Sequence, residues 1–422
     1  MSSTLNLPRG DVTSTLPQEL IDDIVDYVPD DEETQKHLSL VNRSWSHRTR
    51  HHLFQTVRFE LGGRSCTLLN EVLRTNPSLY QHIQTMRIDH GSRFNLQTSS
   101  ILGVIDPKQL VNVRGISIHG DTESCLHWST LPAGLRSALY NLLGKPDLIT
   151  LTLMDIRDID VSFIGRSRRL KELTLYGVKH SLSSSPSISS DGPPATRLAD
   201  EKCSLRSLSV GQCGDALQCL RATTVVPQPV ALKVYSGRYD EKMDMVLQVF
   251  SRNVETYEIQ CHGPSGFLTG PGMIGHLPLH SGVLDFARLP KLKTLRIRLQ
   301  LNQLWYLLSG LTPSLGQQIA RLRSTNCLED IDIVLELDEI LHYWMRSRLD
   351  ETLHPLFDPA WTDLDNTLGD KDAFSKLKKL RIWLKIPTHV VHSKEELASR
   401  FSVFKETVMP NLTRRGILEV VH

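Results

Sequence analysis

The residues that come closest to forming a known chemical motif are Gly270 to Gly275, which read GPGMIG and satisfy G-x-G-x-x-G. In that motif, backbone amides at a helix N-terminus bind the pyrophosphate of a dinucleotide, so a strand must directly precede it and a helix must directly follow it. Here the predicted strand around Tyr257 ends well upstream, and Pro278 opposes a helix. We therefore expect no dinucleotide site and no other cofactor.

Histidine and cysteine offer the next candidates. His389 and His392 have the spacing of two metal ligands on one helix face, but Pro387 and the pair Val390-Val391 favour an extended segment, so an incidental pair is the better interpretation. The seven cysteines are an odd, scattered set without a C-x-x-C pair, which indicates reduced thiols rather than a disulfide framework or a zinc site. No catalytic or metal set is marked, and we expect a chain that is not an enzyme.

The composition limits the classes of partner. The 422 residues carry 48 Lys and Arg against 47 Asp and Glu, a net charge of +1, so no whole-protein field attracts nucleic acid or an anionic membrane. No apolar run reaches the roughly 18 residues of a membrane span, and the N-terminus lacks the features of a secretory signal. We expect a protein of the cytoplasm or the nucleus.

The first predicted element is a short helix in TLPQELIDDIVDYVPDD, residues 15–31. Pro17 suits the first helical position, and Glu19 complements the positive end of the helix dipole. The apolar residues form one continuous stripe at helical spacing. That stripe is made of Leu20, Ile21, Ile24, Val25 and Val28.

Two further apolar segments, HLSLVNRSW and RTRHHLFQTV, complete a predicted three-helix unit at residues 13–58. A unit this small seldom buries enough surface to fold firmly alone. Leu16, Pro17, Ile21 and Val25 appear unused by its own core, which indicates a partner; packing on a later domain of the same chain is the alternative. The unit also has a basic end, read as a solvated helix face in preference to a nucleic-acid or acidic-protein contact. That end contains Arg43, His47, Arg48, Arg50, His51 and His52.

This segment resembles the F-box motif, in which L-P-x-E and an aliphatic helix precede an acidic turn, L-S-L-V and a Trp. The matching positions are Leu16, Pro17, Glu19, Leu20, Ile21, Ile24, Asp30, Asp31, Leu38 to Val41 and Trp45. Two positions depart from the pattern: Asn42 stands where a Cys is common, and Glu33-Thr34-Gln35 replaces an aliphatic pair.

The resemblance implies docking onto the Skp-type adaptor of a cullin-RING ubiquitin ligase, with an unknown protein as the ligase substrate. Five or six buried aliphatic side chains supply on the order of 10 kcal/mol before the costs of association. The predicted adaptor-binding residues are Leu16, Pro17, Leu20, Ile21, Ile24, Val25, Leu40, Val41, Trp45, Leu53 and Phe54.

The remaining chain, residues 59–422, repeats the pattern apolar-x-x-apolar-x-apolar, and nine copies can be counted. Helical stretches lie between copies, and strand followed by helix predicts parallel strands with crossover connections. The copies are Ile83-Met86-Ile88, Val113-Ile116-Ile118, Leu148-Leu151-Leu153, Leu170-Leu173-Leu175, Leu205-Leu208-Val210, Val254-Tyr257-Ile259, Leu292-Leu295-Ile297, Leu328-Ile331-Ile333 and Leu377-Leu380-Ile382.

The pattern resembles the leucine-rich repeat with irregular spacing, as in the large fungal F-box families. The predicted fold class is α/β: a three-helix F-box followed by a curved solenoid with a parallel sheet on its concave side. Residues 181–202, rich in Ser and Pro, are predicted to be a disordered insertion, and residues 262–282 a long loop. A capping box at Ser393 to Glu396 predicts a helix, followed by a final strand at ILEVV, which together cap the solenoid.

Together these features predict a non-catalytic substrate receptor of an SCF-type ligase. Two alternatives remain open: an F-box scaffold that binds the adaptor without ubiquitylating a target, and an α/β enzyme whose N-terminal helices are structural. Aromatic residues concentrate in the C-terminal third, and core packing is favoured over a binding surface for most of them. They are Trp305, Tyr306, Tyr343, Trp344, Trp361 and Trp383. Trp383 is the exception, since it should point away from its neighbours Ile382 and Leu384.

Overall fold

The computed structural model describes a large part of the chain as helices, strands and their connections. The described residues are 16–28, 31–91, 101, 104–121, 125–167, 169–180, 205–222, 228–236, 245–261, 285–301, 315–324, 327–337, 359–385 and 394–421. The GPGMIG segment, His389 and His392, the insertion at 181–202 and the loop at 262–282 lie outside them, so those predictions stay predictions.

Helices and strands follow one another along the chain. The helices include α1 (Gln18–Asp26), α2 (Glu32–Ser39), α3 (Arg43–Gln55), α4 (Arg64–Thr75), α5 (Ala133–Leu143), α6 (Gly214–Ala222), α7 (Met245–Phe250), α8 (Pro359–Gly369), α9 (Lys394–Thr407) and α10 (Pro410–Arg414). The strands are β1 (Thr56–Leu61), β2 (Thr85–His90), β3 (Gly115–His119), β4 (Leu126–His127), β5 (Thr150–Met154), β6 (Ile156–Arg157), β7 (Glu172–Tyr176), β8 (Ser207–Gly211), β9 (Ala231–Ser236), β10 (Thr256–Cys261), β11 (Thr294–Leu301), β12 (Asp330–Leu337), β13 (Lys379–Lys385) and β14 (Leu418–Val421).

Twelve of these strands form one sheet in the order β1-β2-β3-β5-β7-β8-β9-β10-β11-β12-β13-β14, and β4 pairs with β6 separately. The pairings run parallel, so the predicted α/β class with a parallel sheet is confirmed. The chain divides into two compact units, Met1–Ile118 with Pro132–Leu142, and His119–Leu131 with Leu143–His422. The first unit therefore holds α1 to α4, β1, β2 and most of β3 and α5.

The repeated pattern sets the strands in register. Leu173 lies opposite Leu151 and Leu208, and the same level continues through Leu232 and Tyr257 to Leu380 on β13. Every residue of the nine predicted copies is buried, because alternate strand positions face one side of the sheet. The nine predicted strands are confirmed.

Two strands of the twelve-stranded sheet, β1 and β9, were not predicted, nor was the short pair β4 and β6. Phe54, Val57 and Phe59 complete a copy on β1, but Phe54 also belongs to the end of α3. In β9, the buried Pro229 takes the first position of the pattern, where an aliphatic residue was expected. In both copies the first position of the pattern is not an ordinary aliphatic residue, which hid the copy from the count.

Near the C-terminus, the predicted helix is α9 and the predicted final strand is β14, with α10 between them. Phe404 of α9 is buried and meets the Trp361 ring edge-on, with 5.9 Å between the centroids. Asp365 is fully buried on α8, and its carboxylate accepts hydrogen bonds from the backbone amides of Asn411 and Leu412, both at 2.9 Å. A buried carboxylate thus satisfies donors at the start of α10 that have no partner within that helix.

Candidate protein-docking surfaces

The first candidate surface lies on the N-terminal helices and consists of exposed apolar side chains. On α1, Leu20 is 49% exposed and Ile24 45%, and Leu16 just before the helix is 37% exposed. At the end of α2, Leu40 is 82% exposed and Val41 49%. These five residues are called the helical docking face below.

One hydrogen bond links the start of α1 to the start of α3, close in sequence to Val41. Gln18 at the start of α1 donates from Nε2 to the backbone carbonyl of Ser44, at 3.2 Å. Ser44 lies three residues after Val41, so the first turn of α1 is next to the turn between α2 and α3.

The other side of α1 is not available for docking. Ile21 and Val25 are buried, at 1% and 0% exposure, and form a core with Trp45 of α3, against which Leu38 packs. The expectation that Ile21 and Val25 are unused by the core of the three helices is therefore wrong. Ile21 and Val25 lie four residues apart and share the side of α1 that faces α3. Leu20 and Ile24 lie on the exposed side of the helix. Ile21, Val25 and Trp45 shape the unit from inside and do not present an adaptor-binding surface.

The remaining predicted adaptor-binding residues occupy intermediate positions. Pro17 is exposed and lies one place before α1, at its N-cap, instead of the predicted first helical position. Leu53 and Phe54 are half-buried at the end of α3. They border the packed part of the unit and contribute less exposed surface than the helical docking face.

Both departures from the F-box pattern have a local structural role. Asn42 caps α3, because its Oδ1 accepts hydrogen bonds from the backbone amides of Ser44 at 2.9 Å and Trp45 at 3.3 Å. Gln35 on α2 is 2% exposed and donates from Nε2 to the backbone carbonyl of Val28, at 3.1 Å. A polar residue therefore fills an interior position by linking α2 to the end of α1.

The basic end of the unit is engaged within the unit. Asp26 of α1 accepts hydrogen bonds from Nε of Arg48 at 2.6 Å and contacts Nε2 of His52 at 2.7 Å, both on α3. The hydrogen bond from Arg48 is the main reason that the pKa of Asp26 lies well below its usual range; burial opposes the shift, and His52 adds to it. For Arg48 and His52, the interpretation as a solvated face is thus replaced by an ion-paired contact between α1 and α3.

Histidines form a second contact, between α3 and the 3₁₀ helix Pro77–His82. Nδ1 of His51 and Nδ1 of His82 are 3.4 Å apart, and the His47 ring meets the His82 ring edge-on with 6.1 Å between centroids. Burial is the main cause that lowers the pKa of His51 and of His82. The charge of Arg48 lowers the pKa of His51 further, and the charge of Arg50 lowers that of His82 further. Protonation of His51 and His82 places two positively charged rings side by side.

A pH prediction follows for this histidine contact. A histidine whose pKa is lower in the folded than in the unfolded protein binds fewer protons when folded, so stability is highest above about pH 6.5 and falls as pH drops below it. We expect His82→Gln to lose less stability between about pH 7.5 and about pH 5.5 than the wild type does. Urea unfolding at both pH values measures this; an equal loss in the two proteins would contradict it.

The second candidate surface is the side of the sheet that faces away from the buried residues, in the second unit. Successive strands place one charged residue each at the same level, in alternating sign: Lys233, Glu258, Arg296, Asp332, Arg381 and Glu419. This row, called the charge ladder, spans β9 to β14. Because neighbouring strands are about 4.8 Å apart, each charge lies beside opposite charges on the next strands.

The distances between charged atoms agree with pairing along the charge ladder. Lys233 Nζ lies 3.1 Å from Glu258, and Arg296 Nη2 lies 3.2 Å from Asp332. Arg381 binds the same carboxylate through Nε and, at 3.0 Å, through Nη2. The Asp332 side chain is only 3% exposed, whereas those of the two arginines are 37% and 28% exposed. The ladder is thus internally neutralised and does not form a patch for a polyanion.

Aromatic side chains lie on the same side of the sheet. Tyr176 and Tyr235 meet edge-on at 5.6 Å between centroids, with Gly211 between them in the register. A Cβ at Gly211 would lie 2.7 Å from Cβ of Tyr235 and 2.8 Å from Cδ2 of Tyr176, so the missing side chain permits the ring contact. Trp383 is half-buried between the buried Ile382 and Leu384, which confirms that it points to this side.

Of the other aromatic residues singled out in the sequence, Trp361 is fully buried, in agreement with core packing. Trp305, Tyr306, Tyr343 and Trp344 lie outside the described residues.

No family model matches the sequence, and a search of curated proteins finds no match. Among the described residues, no helix is both long and apolar enough to cross a membrane.

Proposed function

We propose that this chain is the substrate-recognition subunit of an SCF-type ubiquitin ligase. The observation that carries the proposal is the helical docking face: α1 buries one apolar side in its own unit and leaves a second apolar side exposed. The core of the three N-terminal helices does not include Leu20 or Ile24, and exposed apolar side chains of this kind indicate a contact with a partner. Leu20 and Ile24 are among the positions that match the F-box motif, and that resemblance implies docking onto a Skp-type adaptor.

Burial of the helical docking face supplies part of the free energy of docking. Complete burial of an aliphatic side chain contributes about 1.5–3 kcal/mol, and the five residues of the face are already partly covered, so their gain is on the order of 5 kcal/mol. Polar contacts around the rim must supply the remainder. The two F-box departures do not remove a residue of this face, because Asn42 and Gln35 act in helix capping and in the interior.

The target protein is proposed to bind the polar side of the sheet. Tyr, Trp and Arg are the residue types enriched at binding hot spots, and this side carries Tyr176, Tyr235, Arg296, Arg381 and Trp383. The charge ladder fixes the arginine side chains before a partner arrives, which lowers the entropy cost of binding. The ligase mechanism is then proximity, since the bound target's lysines are held at high effective concentration near the charged conjugating enzyme.

Co-expression with a Skp-type adaptor tests this function. We expect Leu20→Asp to weaken adaptor binding at least about tenfold, because a charge replaces an apolar group at the centre of the face. Leu68→Asp is the matched control, since Leu68 lies on α4 with 50% exposure against 49% for Leu20. Circular dichroism of both variants checks that the fold is kept.

Equal adaptor binding by wild type, Leu20→Asp and Leu68→Asp would exclude the proposal. A cullin should also be retained with the wild type through the adaptor. Adaptor without cullin would instead indicate the scaffold alternative, in which binding occurs without ubiquitylation.

A further inference from the structure

Three side chains with metal-binding chemistry meet in the second unit. They are Asp160, which precedes the 3₁₀ helix Val161–Arg166, His180, which follows β7, and Cys219 of α6. One ligand atom from each lies within 4.8 Å of the other two. All three residues are half-buried, so the cluster is neither fully exposed to solvent nor sealed from it.

The fold brings these residues together from three successive parts of the chain. Arg157 forms a parallel bridge with Lys179, and the amide of Lys179 donates to the carbonyl of Ile156 at 2.9 Å. The segment after β6 therefore runs beside the segment after β7, which places Asp160 next to His180. Helix α6 packs on the 3₁₀ helix and adds Cys219 from the following repeat.

Neighbouring groups orient two of the three side chains. His180 Nδ1 lies 3.1 Å from the backbone carbonyl of Ile159, and because a carbonyl only accepts, Nδ1 carries the proton and Nε2 keeps the lone pair of the neutral ring. The Asp160 carboxylate accepts from the amide of Ser162 at 2.9 Å and from its hydroxyl at 2.8 Å. Histidines that bind metal ions usually donate their other ring N–H to a carbonyl or carboxylate, and carboxylate ligands usually accept hydrogen bonds from nearby donors.

We propose that Asp160, His180 and Cys219 bind a divalent transition-metal ion, with Zn²⁺ the best match. Thiolate, imidazole and carboxylate are all zinc ligands, and three protein ligands leave a fourth tetrahedral position for water. Ligand atoms around tetrahedral zinc are about 3.3–3.6 Å apart, given metal bond lengths of about 2.0–2.3 Å. The cluster therefore needs only a side-chain adjustment of about 1 Å to close on the ion.

The same three residue types also occur in cysteine nucleophile systems, but this site does not support that chemistry. A catalytic cysteine needs a lowered pKa to form thiolate. Burial raises the pKa of the Cys219 thiol, and the charge of Asp160 raises it further, so the thiol stays protonated unless a bound metal ion displaces the proton. The bound ion would join parts of three successive repeats, and this inference does not depend on the ligase proposal.

Cobalt binding to the full chain tests the site, because a Co²⁺–thiolate bond gives a charge-transfer absorption that histidine and carboxylate ligands do not give. We expect the band in the wild type and in Cys125→Ser, whose Cys125 is another half-buried cysteine of the second unit. We expect its loss in Cys219→Ser, and an affinity at least about 100-fold weaker in His180→Ala. Zn²⁺ added in excess should remove the band.

Absence of the band in the wild type would overturn the proposal, as would a band that survives Cys219→Ser. Thermal unfolding gives a readout that does not rely on cobalt: Zn²⁺ should raise the unfolding temperature of the wild type more than that of Cys219→Ser. An equal rise in both proteins would place the zinc elsewhere and overturn the site. Circular dichroism of the metal-free proteins confirms that each variant folds.

Discussion

Ile21→Ala is expected to destabilise the three N-terminal helices by about 3 kcal/mol, because the substitution deletes buried methyl and methylene groups and leaves a cavity. Ile21 is 1% exposed and packs with Val25 and Trp45 in a core to which few side chains contribute. Amide hydrogen exchange measures local opening of this unit directly. Exchange in α1 to α3 should become roughly 100-fold faster.

Ile24→Ala is the matched control, since the same residue type lies three positions later on the same helix but is 45% exposed. Exchange should change by less than about tenfold, because little buried volume is lost. Adaptor binding should respond in the opposite way: Ile24→Ala removes a group of the helical docking face, whereas Ile21→Ala does not. Equal exchange in the two variants would contradict the assignment of inner and outer sides to α1.

The fold was largely predictable because its repeat has a local signal. Three apolar residues at fixed offsets determine one strand and its buried side, and every copy counted in the sequence became a strand. β9 escaped because Pro229 is not ordinarily read as a core residue. β1 escaped because one residue, Phe54, serves both the end of a helix and the start of a repeat.

The docking face was only partly predictable, for a different reason. Apolar periodicity located the stripe on α1 but could not divide it between its two neighbours, so Ile21 and Val25 were placed on the same side as Leu20. That division depends on the approach of α3, which Trp45 and the Asp26 contacts to Arg48 and His52 determine.

The charge ladder and the metal cluster lay beyond the sequence, because their members are distant along the chain. Asp332 is 36 residues from Arg296 and 49 from Arg381, and no local pattern links them. Asp160, His180 and Cys219 likewise come from separate repeats. In a parallel sheet, each strand's neighbours are a whole repeat away, so lateral pairs appear only once the register is known.

Asp332→Asn is expected to lower the free energy of unfolding by about 3 kcal/mol, because it leaves two arginines beside a carboxamide that cannot neutralise them. The Asp332 carboxylate contacts Arg296 at 3.2 Å and Arg381 at 3.0 Å while its side chain is 3% exposed. Asparagine keeps the size of the side chain, so the effect reports charge rather than a cavity. Urea unfolding at low salt and at about 1 M salt measures it.

Glu336→Gln provides the control on the same strand and the same side of the sheet, where Glu336 pairs with Lys385 at 2.6 Å and both side chains are partly exposed, at 31% and 58%. Its cost should stay below about 1 kcal/mol and vanish at high salt, where exposed charges are screened. The cost of Asp332→Asn should persist at high salt, because its carboxylate is shielded from mobile ions. If both costs vanished together, the charge ladder would be an ordinary surface network, and its proposed role in holding Arg296 and Arg381 ready for a target would fail.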